Sequence, residues 1–600
     1  MALAVAAAFG SAACAQKDQP GIEVSVDLAE FAGQVQHLRV AISASPGGFQ
    51  AHGPTSVDNI GIMIRDVDGD GELEMVATFL SPASPVKFRV ATGNQATLTV
   101  GGHALAYDAT ALMAGADTDA ASAAQLSPGG RAAIALKLTA RSGGVVGPDT
   151  RTTDLNSAAP DITVSTSAMT AALAAVAVCD VDGDGTQDIV IGDPAAENLG
   201  LPVGAVHVLL GTNGFSSVID LDNPATGREF RFYGATAGDR LGAAVACAKL
   251  NGDRADDLII GAPGANGGGG RVYAVFGSSG IATRRITPGS TTETADVAWE
   301  SSQDDGFGTL LFAADLNRDS NAEILAASAG TGKVHLLANV TQAAAAVISV
   351  DAADHVSFSN TFATSITAGD LRRAGGADVI IGNSEAKMPN ATVKSGAILG
   401  FADVMVGGTT QYDGSAPTMV MYGDVNTQFG AAVVALDTTG YGQDLIVGAP
   451  GEGSGAGAFY LYKGDQDFFA APMRSHLPPE AGKVVSGPAA NGRFGAALAG
   501  TPTGAPGSFS WDLLVGAPGT SRTDARTLGG AAYLFGNGKA WEFPLLEQMF
   551  GAATGDQLGA ALAGGQVDAD STGDLVAVAP GAGNMQTGVV YVRSDHATQR

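Results

Sequence analysis

Apolar and polar residues alternate in short runs at 22–26, 38–42, 60–64, 75–79, 86–90, 96–100 and 133–138, with Gly, Pro, Asn and Asp between them. Period-two alternation gives a strand one apolar face, so residues 21–140 predict a separate small β-sandwich of about seven strands. Residues 141–159, rich in Gly, Ser, Thr and Asp, read as a linker. From residue 160 to 600 the alternation is organised as a repeat: small residues, an acidic loop, an apolar strand, a Gly- and Pro-containing exit and a further strand.

The repeat is clearest from residue 180. Asp180, Asp182, Asp184 and Asp188 take positions one, three, five and nine of a tight loop that runs into Ile189, Val190 and Ile191. Carboxylates at that spacing gather hard oxygen donors around one cation, and the intervening Gly residues let the backbone curl past it. An EF-hand loop needs a bidentate Glu at position twelve, which here is Ile191, so a calcium loop between two strands is the better reading. Aligned on position nine, the pattern returns at Asp257, Glu323, Asp378, Asp444, Asp512 and Asp574, at intervals of 55 to 69 residues. Each unit holds three strong strands and a weaker one, such as 228–233. Seven such units predict seven four-stranded blades, which must stack radially because a blade cannot bury both faces alone.

Each unit also carries two short motifs. It opens on Leu241-Gly242, Phe307-Gly308, Phe362-Ala363, Phe429-Gly430, Phe494-Gly495 or Leu558-Gly559, with Ala172-Leu173 as a degenerate first copy. Its second strand leaves through Gly261-Ala262-Pro263, Gly448-Ala449-Pro450 or Gly516-Ala517-Pro518, weakened to Gly192-Asp193-Pro194 and Val578-Ala579-Pro580. These exits read as turn chemistry, with Gly supplying an unusual φ and Pro ending ladder pairing. No helix pattern or P-loop Lys follows them, which argues against a phosphate cradle.

The motifs resemble FG-GAP repeats, the units of the integrin α-subunit β-propeller, and the resemblance covers residues 160–600. It implies an all-β chain with a seven-bladed β-propeller, preceded by the small β-sandwich. It also implies calcium ligands at positions one, three, five and nine, with a backbone carbonyl at seven. Asp180, Asp182, Asp184 and Asp188 match in full, as do Asp315, Asn317, Asp319 and Glu323. The second unit offers Asn251, Asp253 and Asp257 but has Lys249 at position one, which places an ammonium where the cation would sit. The last offers Asp568, Asp570 and Asp574 behind neutral Gln566. In the fourth, Arg372 and Ala374 stand between Asp370 and Asp378, so a salt bridge is expected in place of metal. The fifth loop is one residue short and the sixth keeps only Asp512, and neither is expected to bind metal. In the N-terminal domain Asp66, Asp68, Asp70 and Glu74 repeat the spacing. They are read as a cation-clamped hairpin, with an eighth relative of the repeat as the alternative. The expected cofactor is calcium: several ions, structural, held by all-oxygen ligands on flexible loops with Kd of roughly 10⁻⁴ to 10⁻³ M outside a cell.

Composition narrows the function. The formal net charge is −28 and the pI about 4.4, which makes nucleic acid and anionic membrane surfaces poor partners. Residues 1–20 hold a short apolar run and then Ser11-Ala12-Ala13-Cys14-Ala15, too short to span a bilayer and read as an export signal. Two exits stay open: a lipobox that leaves a lipid anchor on Cys14, and an ordinary A-x-A cleavage that removes it. The expected location is therefore the outer membrane as a lipoprotein, the cell surface or the medium. With Cys179 and Cys247 as the remaining cysteines and of opposite strand parity, buried free thiols are expected. The eight His form no H-E-x-x-H pair, there is no G-x-S-x-G elbow, and carboxylates built to hold calcium are kept ionised, so no enzyme is expected. His207 and His335 fall on equivalent third strands, where packing is the expected role. Two functions remain: a monomeric surface protein whose propeller loops bind a protein partner in adhesion, and a propeller that binds or cleaves polysaccharide. The loops at 385–394, 465–483 and 520–528 vary most between units and are where recognition is expected.

Overall fold

The structure, a computed structural model, describes the strands between residues 21 and 154 by their backbone, and most of residues 153–594 with side chains. The chain divides into two compact units, Met1–Thr150 and Arg151–Thr598. In the first, strands coincide with the alternating runs and form two sheets. Gly21–Asp27 pairs in parallel with Arg131–Lys137 and antiparallel with Val86–Ala91. The larger sheet contains the antiparallel pair Ile60–Arg65 and Glu74–Leu80, in which Arg65 lies opposite Glu74. Asp66, Asp68 and Asp70, which join these two strands, lie outside the described residues, as do residues 1–20.

The second unit is a seven-bladed β-propeller. Blade one runs Ala175–Cys179, Asp188–Asp193, Ala205–Leu209 and Glu229–Tyr233 in antiparallel order. The other six repeat it, and their first strands are Ala244–Ala248, Phe307–Ala314, Ser365–Gly369, Val433–Leu436, Ala497–Pro502 and Ala561–Gly565. These seven innermost strands touch their neighbours in order, and the seventh touches the first, so the ring is closed. Small side chains suit that crowded axis. The second strands are buried on both faces and run apolar after an acidic first residue, as in Asp257–Ala262 and Asp444–Ala449, with Asp188–Asp193 closing on a second acidic residue.

Alternation divides each strand between two seams. Val190 and Val208 of blade one pack with Leu258, Ile260 and Tyr273 of blade two. Ile189, Ile191 and Leu209 turn the other way, onto Val576, Val578, Val590 and Val592 of blade seven. Every blade is thus covered on both faces by its neighbours, which is what the hydrophobic pattern requires.

The start of the unit supplies the fourth strand of blade seven: Ile162–Ser165 pairs antiparallel with Val589–Arg593. Arg151–Asp154, expected within the linker, is instead a strand of blade six, parallel to Leu545–Phe550. It belongs to a wider device. Between its third and fourth strands a repeat sends a short strand back to the outer edge of the preceding blade, as Arg284–Arg285 does to Glu229–Tyr233 and Val347–Ser349 to Val297–Glu300. Such parallel fifth strands cover edges that would otherwise present unpaired backbone groups.

The exit glycines need correction. Gly261 is absent from the positive-φ positions, so turn conformation is not its reason. A Cβ there would lie 2.1 Å from the carbonyl oxygen of Gly308, the opening glycine of the next blade, which itself has φ +91. The exit motif of one blade and the opening motif of the next meet backbone to backbone at the seam, and only Gly permits that approach.

Candidate metal centre

All seven acidic loops join first to second strands, so the radial fold puts them on one face. In loop one, carboxylate oxygens of Asp180, Asp182 and Asp188 lie within 4.8 Å of one another. The loop winds around them. Asp180 Oδ1 accepts from the amide of Asp184 at 3.0 Å and Oδ2 from that of Gly185 at 2.9 Å. Asp182 Oδ1 accepts from Asp184 N at 3.1 Å, while Asp184 Oδ1 turns to Thr186 N at 2.7 Å and stands outside the cluster. Burial raises the pKa of Asp180 and of Asp182, each further raised by neighbouring carboxylates. Asp188 is pushed up to about 7, chiefly by burial and then by the same neighbours, against two backbone hydrogen bonds that pull it down. Three hard oxygen donors that repel one another in a partly buried loop fit a divalent cation, whose charge would hold them ionised.

Loop three has the same winding, with Asp319 N and Ser320 N bonded to Asp315 Oδ1 and Oδ2. Asn317 Nδ2 donates to Asp319 Oδ2 at 3.0 Å and to Glu323 Oε1 at 2.9 Å, drawing the two carboxylates together. The exposed Asp319 is lowered by the Asn321 amide and by Asn317, and Glu323 is raised by burial. The three carboxylates of loop three do not converge within 4.8 Å as those of loop one do, so a cation there would require the Asn317 amide to turn its oxygen inward and the carboxylates to close around it.

The remaining loops differ as their residues dictate. In loop two the Lys249 ammonium bonds the carbonyl oxygen of Arg254 and lies 3.6 Å from Asp256. Asn251 Oδ1 takes the amide of Asp253. In loop four Arg372 Nε meets Asp378 Oδ1 at 2.8 Å, and its terminal nitrogens hold Asp403. In loop seven Asp568 and Asp574 are described and Asp570 is not.

Position nine has a second role that spacing alone did not disclose. Asp188 accepts from Val181 N and Gly211 N, Asp257 from Leu250 N and Gly277 N, Glu323 from Leu316 N, Asp378 from Arg372 N, Asp444 from Gly464 N and Asp574 from Val567 N. It pins the loop to the blade whether or not positions one, three and five can hold metal. This explains its presence in these six units, including those without a ligand set.

Position eight was missed altogether. Asp180 N donates to Asp256 Oδ2 at 3.0 Å, and Asp256 N returns a bond to Asp180 O at 2.7 Å. Lys249 O takes Ala322 N, Asp370 N reaches Gln443 Oε1, and Gln566 exchanges two bonds with Gln187, joining blade seven to blade one. Position one of a loop is thereby tied to position eight of the next.

The cysteines also require correction. Cys179 and Cys247 form a disulfide with Cα atoms 6.3 Å apart. They lie on the innermost strands of blades one and two, where Ala177 and Cys179 face Val245 and Cys247. The two histidines do pack as expected: His207 is buried with Nδ1 3.1 Å from Glu229, and His335 stands edge-on to Phe307.

Comparison with known proteins identifies one of the repeats. The FG-GAP repeat model matches residues 172–209, the first three strands of blade one with the first acidic loop. The phosphatidylinositol-glycan-specific phospholipase D of Dictyostelium discoideum is 29% identical over 171 residues, a match spanning 25% of this chain and 17% of that protein. Among solved structures, the exotype rhamnogalacturonan lyase YesX aligns over 92% of this chain and 91% of its own at 12% identity, with a TM-score of 0.31, too loose a superposition to carry an argument. The matched FG-GAP repeat thus sits in the first of seven like blades, and the chain is a seven-bladed β-propeller that carries an FG-GAP repeat.

Proposed function

We propose that the chain is an exported, calcium-stapled propeller that acts as a monomer and binds a protein partner through its loops, in adhesion or scaffolding, without catalysis. The observation that carries the calcium reading is the convergence of Asp180, Asp182 and Asp188 within 4.8 Å on a loop wound for oxygen donors. Asp180 and Asp182 would hold the ion with Asp188, and Asp315, Asn317, Asp319 and Glu323 would hold a second. The ions would supply charge neutralisation and loop rigidity. The Cys179–Cys247 disulfide supports export, since such bonds form and persist in oxidising compartments. Binding is favoured over chemistry because the acidic groups are committed to backbone amides and to cations, the wrong state for general acids.

The test is native mass spectrometry for bound calcium, with thermal unfolding in calcium and in EGTA, on the wild type, Asp182→Ala and Asn317→Ala. The reading expects at least two ions, a melting temperature that falls on chelation, and one ion fewer in each variant. An ion-free wild type with no response to EGTA would overturn it.

A further inference from the structure

We infer that the acidic-loop face carries a binding site for a small carboxylate ligand, in the cavity between loops three, four and five. The bonds that tie position one to position eight join blades one and two, two and three, four and five, and seven and one. Between blades three and four, Asp315 makes no such bond to Ala377. A cavity of about 510 Å³ opens at that seam, lined by these two residues and by Arg318, Asp370, Arg373 and Gln443 over a floor of alanine and leucine side chains. That volume suits one monosaccharide acid or one amino-acid side chain.

The hydrogen-bond inventory selects the ligand. Each acceptor is already engaged by the chain: both Asp315 oxygens by amides of their own loop, both Asp370 oxygens by Ala374 N and Gly375 N with Arg318 Nη2 added at 2.7 Å, and Gln443 Oε1 by Asp370 N. The donors are not. Arg373 Nε and Nη2 are buried without a hydrogen-bond partner, Nη2 standing 3.7 Å from Asp444 Oδ1, and the exposed Arg318 guanidinium gives one N–H to Asp370 and keeps the others for the cavity. The Ala377 amide is also without a partner among the described residues, and Gln443 keeps its Nε2 hydrogens. A pocket with surplus donors and two guanidinium groups calls for an acceptor-rich anion, and a planar carboxylate matches the fork of an arginine.

The backbone sets both arginines at this seam. Arg318 has φ +63 and Arg373 has φ +54, a region that side-chain-bearing residues visit only when their surroundings hold them there. The chain's net charge of −28 does not forbid an anion here, because distant charges are screened beyond roughly 8 Å at physiological salt while the arginines are in contact. The site shares Asp315 and loop three with the proposed second calcium ion, and titration in calcium and in EGTA separates the two readings.

Isothermal titration of the full chain with D-glucuronate, N-acetyl-L-aspartate and neutral D-glucose tests it. Saturable one-to-one binding of either acid, and none of glucose, is expected. The tighter of the two acids identifies a sugar acid or an acidic side chain as the source. Arg373→Gln should weaken binding by roughly tenfold or more, the scale of a lost hydrogen bond to a charged group. Arg318→Gln, at a side chain 61% exposed, should weaken it as well, with folding checked by thermal unfolding, while the remote Arg228→Gln leaves it unchanged. Failure of both acids to bind folded wild type, or wild-type affinity in both cavity variants, overturns the proposal.

Discussion

Cys179 and Cys247 lie 68 residues apart in sequence and bonded in space, one on the innermost strand of blade one and the other on that of blade two. The bond crosses the same seam as the Asp180–Asp256 hydrogen bonds, one residue away from the first candidate ligand. Replacing both cysteines by Ser should therefore lower stability by about 2–4 kcal/mol, the usual effect of a bridge closing a long loop. It should also weaken calcium at loop one, because Asp180 loses an anchor. Thermal unfolding and calcium titration of the double variant check both, and an unchanged melting temperature would contradict the first.

Position nine and position three of the same loop pattern should behave differently. Asp257 accepts two buried amides in a loop whose first position is Lys249, so Asp257→Ala should destabilise the protein equally in calcium and in EGTA. Unsatisfied buried donors cost about 1–3 kcal/mol each. Asp182 accepts one exposed amide, and its loss should matter only with calcium present. An ion with Kd of roughly 10⁻⁴ M at millimolar calcium adds about 1.4 kcal/mol. Melting temperatures of the two variants, each with and without chelator, separate the roles.

Arg372 holds the fully buried Asp378, with its own side chain 15% exposed. Arg372→Met leaves that carboxylate unpaired and should cost about 3–5 kcal/mol, as breaking buried pairs does. Arg372→Met with Asp378→Asn should recover part of the loss, since the stranded charge is removed. Urea unfolding of the single and double variants measures it, and a double variant no more stable than the single one would contradict the pairing argument.

The architecture was legible because its signals are periodic. Position nine recurs at blade spacing, and strand alternation continues on either side of it, so blade number and loop placement followed from Asp188 to Asp574. Relations between blades were not legible, since each depends on residues a whole unit apart. Opposite parity of Cys179 and Cys247 argued against pairing if both were imagined on one sheet. Between stacked blades it is the requirement, because the face that blade one turns to blade two is the opposite of the face it meets. Gly261 was read locally as a turn residue for the same reason, although its neighbour is Gly308 of the next blade. The strand Arg151–Asp154 has a polar sequence that resembles a linker, and only the open edge of blade six makes it a strand. Arg318 and Arg373 stand at position four of their loops, outside the ligand positions, and the cavity they line appears only when three loops are placed side by side.

The pH dependence of calcium binding follows from Asp188. Burial pushes its carboxyl from the ordinary 3.8 up to about 7 in the metal-free protein. As pH rises from about 4 to 7 the unfolded chain releases this proton before the folded one does. The native state then binds more protons, and the contribution of Asp188 to metal-free stability falls with rising pH. A cation reverses this by favouring the ionised form. Calcium must displace the proton below pH 7, so affinity at loop one should climb with pH by up to about tenfold per unit and level off above 7. The gap between melting temperatures in calcium and in EGTA should accordingly widen from pH 5 to pH 8. Asp182→Ala, which removes a ligand but keeps Asp188, should flatten that gap while retaining the fall in metal-free stability. A gap that stays constant or narrows with pH in the wild type would show that Asp188 is not ionised by the bound ion.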